Sequence, residues 1–84
     1  MWDQVDDNRW SLPDDVRHLL LLADGVLAEL HDRTVHRYRA PQQIEDPHWP
    51  LADAQWIDTT VLDEAPATDE QGWEVLAARA GAPT

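Results

Sequence analysis

The chain contains no cysteine in 84 residues, so neither a disulfide framework nor a thiolate zinc site can hold it, and folding must rest on packing alone. A single domain of this size buries only roughly 60% of the surface its unfolded chain exposes. One folding unit over residues 1–84 is expected, with a core thin enough that covering a further face against a partner or a second copy would help. Phenylalanine is also absent, so the five tryptophans, at positions 2, 10, 49, 56 and 73, are the principal large side chains available. Trp73 and Trp56 are the expected core members.

Missing residue types also exclude chemistry. Without lysine or cysteine there is no Schiff base and no thiolate nucleophile. The single serine, Ser11, precedes Leu12-Pro13-Asp14-Asp15, where it reads as a helix N-cap rather than a nucleophile. Three isolated glycines, at 25, 72 and 81, cannot form a phosphate-binding loop or a dinucleotide fingerprint. Carboxylates are plentiful, but the doublets at 6–7, 14–15, 45–46, 63–64 and 69–70 look solvated, and none is marked as a buried general acid. A non-enzymatic chain with no cofactor is expected.

The N-terminal residues Met1-Trp2-Asp3-Gln4-Val5-Asp6-Asp7 are acidic where a signal peptide is basic and then apolar. The longest apolar run, Leu19 to Ala23, is far short of the ~20 residues needed to span a bilayer. The expected setting is the cytoplasm.

Along the chain, residues 1–10 read as an acidic arm punctuated by Trp2, Val5 and Trp10, with the aromatics tying it down. From Ser11 the signals are helical: a cap, Pro13 and two acids in the first turn, then Val16, Leu19, Leu20 and Ala23 at helical spacing. Asp24-Gly25 then either ends this helix or turns a hairpin joining Leu19–Ala23 to Val26–Leu30. The start signals and four consecutive leucines favour the helix. Val26–His31 and Thr34–Arg39 read as a hairpin about Asp32-Arg33, pairing His31 with Thr34, Leu30 with Val35, Glu29 with His36 and Ala28 with Arg37. A second helix ending before Pro41 is the rival.

Pro41, Pro47 and Pro50 make 41–55 a loop, long enough to suggest a functional role. Gln55–Leu62 reads as a third strand, with Trp56, Asp58 and Thr60 on one side and Ile57, Thr59 and Val61 on the other. A C-terminal helix begins at the capping box Thr68-Asp69-Glu70-Gln71, carries Trp73, Leu76, Ala77 and Ala80 as an apolar stripe, and stops at Gly81, leaving 81–84 as a tail. The expected fold is therefore α+β: an N-terminal helix, an antiparallel hairpin with a third strand, and a C-terminal helix on the sheet.

Charge is the clearest functional signal. The chain carries −11 overall. Residues 1–30 hold −5, residues 31–40 hold +2 through Arg33, Arg37 and Arg39 against Asp32, and residues 41–84 hold −8. Such a protein repels nucleic acid. The arginines suit internal pairing or an acidic group on a partner. Trp49, flanked by Glu45, Asp46 and His48 between two prolines, suits an exposed anchor, since interface hot spots favour Trp and Arg. His31, His36 and Glu29 share a hairpin face, yet their spacing matches no metal motif and a polar sheet face explains them.

The composition thus points to a small acidic protein that docks on another protein as an inhibitor, antitoxin-like or regulatory module, or adaptor, through Trp49, His48, Asp46, Glu45, Arg33, Arg37 and Arg39, with a homodimer or heteromer left open. A nucleic-acid mimic that inhibits a DNA- or RNA-handling enzyme is the alternative, and a small metal-dependent enzyme or enzyme subunit is a third reading.

Overall fold

A computed structural model describes residues 2–12, 17–41, 51 and 53–80, the side chains of residues 79 and 80 excepted. Six strands precede one helix: β1 (Asp3–Asp6), β2 (Arg9–Ser11), β3 (Arg17–Leu21), β4 (Val26–His31), β5 (Thr34–Arg39), β6 (Gln55–Val61) and α1 (Asp69–Ala80). The strands form one antiparallel sheet in sequence order, each bonded to the next. The connections are short and local except between β5 and β6, where residues 40–54 intervene, and α1 lies across one sheet face.

The predicted β4–β5 hairpin is present with the expected register, from His31↔Thr34 to Ala28↔Arg37. Asp32, first of the two turn residues, has φ 59°, a left-handed conformation that aspartate tolerates better than most side chains. The expected α+β class is corrected to a mostly β fold, because the N-terminal helix is absent: residues 17–21 are β3, paired with β4 from Arg17↔His31 to Leu21↔Leu27. The turn at Asp24-Gly25 decided the outcome. Leu22 N donates to Val26 O at 2.8 Å and Gly25 N to Leu22 O at 3.0 Å, while Gly25 has φ 82°, so a three-residue loop with a left-handed glycine folds β3 back onto β4. Leucines at helical spacing serve equally well here because β3 is covered on both faces, and two-sided burial erases strand alternation.

Both sheet faces carry a core. On the helix face Leu20, Ala28, Leu30, Val35, Leu62 and Leu76 cluster, with Leu22, Trp73 and Val75 against them. On the other, Trp2, Trp10, Leu19 and Leu27 cluster, joined by Leu12, Leu21, Tyr38, Ala40, Leu51 and Ala54. The acidic arm is thus a hairpin, β1–β2, whose tryptophans are buried. Trp56 is a correction of the opposite kind: the expected core residue is 64% exposed.

Helix α1 is capped as its sequence indicates. Gln71 N donates to Thr68 Oγ1 at 3.1 Å, and Gln71 Oε1 accepts from Ala67 N at 3.0 Å. Its buried line runs through Gly72 and Leu76 rather than Ala77, which is exposed. The reason is His18, a buried residue of β3 whose ring lies under the first helical turn. A Cβ on Gly72 would stand 3.0 Å from His18 Cε1. The same ring meets Trp73 edge to face, centroids 4.6 Å apart, so it is held from two sides.

Substituting Gly72→Ala should therefore destabilise the protein despite the ~1 kcal/mol that alanine gains over glycine in a helix. Denaturant unfolding of Gly72→Ala in the wild type and in a His18→Ala background provides the check. The effect should change sign when the ring is removed.

Candidate functional site

A six-stranded open sheet has two edges, and this chain treats them differently. Edge strand β1 is four residues long, carries Asp3 and Asp6, and is bulged at Val5, where the register shifts between Gln4 and Asp6. Short length, charge and a bulge are the usual protections against edge-to-edge pairing. Edge strand β6 has seven residues and one acid, and it exposes Trp56 (64%), Val61 (63%) and Ile57 (37%). Among the described residues no strand pairs with its outer side.

Backbone alternation defines what that edge offers. Leu62 N donates to Arg33 O at 2.7 Å, so in this antiparallel ladder Leu62, Thr60 and Asp58 direct their amides and carbonyls at β5. Thr59 and Val61, opposite His36 and Thr34, direct theirs away from the sheet.

Ile57 is a bulge residue, since Arg37 pairs with Asp58 and Tyr38 with Trp56. The extra residue shifts Trp56 out of the expected set with Asp58 and Thr60. Trp56, Thr59 and Val61 consequently share the face opposite α1. Trp56 Nε1 donates to Thr59 Oγ1 at 3.1 Å, and that hydroxyl shares a 2.8 Å hydrogen bond with His36 Nδ1. The exposed indole is thereby held in place.

On the helix face, Arg37 grips Asp58 with both ends of its guanidinium: Nε donates to Oδ1 at 2.8 Å, and Nη2 donates to Oδ2. This hydrogen bonding holds the Asp58 carboxyl below its usual range and pushes Arg37 up. The only acid in β6 is thus neutralised from within the sheet. Beyond the strand, Leu62, Asp63, Glu64, Val75 and Ala78 line an open pocket of about 270 Å³ between the end of β6 and α1.

The three arginines of the +2 window are dispersed. Arg37 is committed to Asp58, Arg39 is exposed with Nη1 3.4 Å from Asp24 O, and Arg33 is exposed in the hairpin turn. Trp49, His48, Asp46 and Glu45 lie outside the described residues. Glu29, His31 and His36 do share one sheet face, yet no group of three His, Cys, Asp or Glu among the described residues is placed to hold a metal ion. Glu29 is buried at 4% exposure, with Arg17 Nε 3.9 Å away and the Arg17 guanidinium over the Trp2 ring. Burial first, and the Glu29 charge second, push the nearby Tyr38 hydroxyl up. This group lies on the covered side of the sheet and lines no cavity among those described.

Sequence reasoning missed β6 as the exposed edge because it assigned Trp56 to the core. The signal available was the third-strand reading itself, which leaves one side of Gln55–Leu62 without a neighbouring strand; the bulge at Ile57 that turns Trp56 outward has no mark in the sequence.

Because the Asp58 carboxyl is held below its unfolded value, its contribution to stability is present above pH ~4 and is lost as pH falls through the folded value. Asp58→Asn should therefore weaken the decline in unfolding free energy as pH falls below about 4, read from parallel denaturation series. An unchanged acid limb would mean the pair adds nothing. Compared with known family models, curated proteins and solved structures, the chain finds no match.

Proposed function

We propose that this is a non-catalytic, acidic binding protein that docks on a partner protein through β6, acting as an inhibitor, regulatory module or adaptor. The observation that carries this reading is the contrast between the two edges: β1 is short, acidic and bulged, whereas β6 presents Trp56, Ile57 and Val61 with its one acid neutralised by Arg37. Strand addition to an open edge supplies main-chain hydrogen bonds for affinity, with side chains on either face for specificity. Trp56 is exposed and hydrogen-bonded to Thr59, and tryptophan is among the residue types enriched at interface hot spots.

Acidity supports the reading in a second way. Net charge of −11 keeps copies apart in solution and speeds encounter with a basic partner. The nucleic-acid mimic is less well supported, because its contact surface should be carboxylate-rich and β6 is the least acidic strand edge. The chain has no cysteine to keep oxidised, which suits a cytoplasmic setting. No helix among the described residues is long and apolar enough to cross a membrane.

The test is affinity capture from extract of the producing cell, run in parallel with three variants. Val61→Lys and Trp56→Lys place a charge on β6 and should abolish capture of the band that the wild type retains. Val5→Lys, an equally exposed site on β1, should leave it intact. Equal loss with all three, or with none, contradicts docking through β6.

A further inference from the structure

We infer that the occupant of β6 is an extended, basic segment of another protein, with apolar residues alternating with Arg or Lys. This rests on the reading of β6 as the docking edge and specifies its ligand.

The pattern follows from the two faces of the edge. A strand laid beside β6 directs successive side chains to opposite faces of the enlarged sheet. Those on the face opposite α1 meet Trp56, Thr59 and Val61, a surface that favours apolar and β-branched side chains. Those on the helix face meet Asp58 and Thr60 and then the pocket beyond the strand. That pocket has an apolar floor of Leu62, Val75 and Ala78 and two exposed acids, Asp63 and Glu64. No basic side chain among the described ones pairs with either acid. An Arg or Lys suits such a pocket, because its methylene stem covers apolar surface while its charge stays with the carboxylates and water.

Charge complementarity selects against the other natural occupant. A second copy of the chain would bring another −11 to the same edge, including its own Asp63 and Glu64. Its β6 strand supplies no cation to answer them. Extended basic segments answer both requirements.

A cyclised β-hairpin peptide whose free strand alternates Val with Arg is the direct probe, cyclisation removing most of the ordering cost. Its counterpart carries Glu in place of Arg. Binding is read by residue-resolved amide hydrogen exchange on the full chain at low salt, and again at about 0.5 M salt, where the screening length is only a few ångströms. The expected result is protection of the Thr59 and Val61 amides by the Arg peptide, with the Glu peptide about tenfold weaker or worse at low salt and the gap narrowed at high salt. An Asp63→Asn, Glu64→Gln variant should lose most of the preference while still binding.

If both peptides protect β6 equally, strand addition stands and the basic partner is wrong. Should neither peptide protect those amides at millimolar concentration, the docking edge itself is wrong. Concentration-dependent protection without any peptide would make a second copy the occupant and overturn the inference.

Discussion

Everything in this structure depends on covering β4 from both sides. Val26 to Leu30 are all buried, with Ala28 and Leu30 facing α1 and Leu27 and Glu29 facing the N-terminal tryptophans. An antiparallel sheet can leave one face to water, but a strand apolar in both directions cannot. Among the described residues a single helix covers one face, and Trp2, Trp10, Leu12, Leu51 and Ala54 cover the second. The absence of cysteine and phenylalanine makes that arrangement economical, since two tryptophans cover what a second helix would otherwise cover.

This constraint also explains what the sequence disclosed and what it hid. The β4–β5 pairing was legible because the polar pair Asp32-Arg33 separates two β-tolerant runs, and because a two-residue turn there sets Glu29 opposite His36. The capping box at Thr68 was legible because its signal is local. Strand β3 was not, because three consecutive leucines in a strand buried on both sides carry no period of two, and with Val16 and Ala23 they satisfy the helical one. Gly25 held the deciding information in its φ of 82°, a property the residue letter permits without requiring. The orientation of Trp56 was hidden for a different reason: one bulge residue, Ile57, reverses the side to which every residue before it points.

Close packing of α1 follows from the same need. The helix has a weakly apolar surface, and it reaches the sheet by placing a glycine over the His18 ring. His18 Nε2 lies 3.5 Å from Asp69 Oδ1, while Nδ1 is buried with no partner among the described residues. A polar ring beneath a helix start costs stability, and Gly72 and Trp73 are shaped around it. Both cores end at β6: Leu62, just past the strand, closes the helix-side core, and Trp56, Thr59 and Val61 lie outside the other. Among the described residues β6 is thus the outer boundary of the covered sheet, which is where the proposed docking edge lies.

The most direct test of this account is the hydrogen exchange of each amide in the protein alone across a range of concentrations. Amides of β4 and of Leu62, bonded within the sheet, should exchange slowly, whereas those of Thr59 and Val61 should exchange near the rate of an unstructured chain in dilute and concentrated samples alike. Slow exchange at Thr59 and Val61 in dilute solution would mean that β6 is already covered, and would contradict the assignment of an open edge.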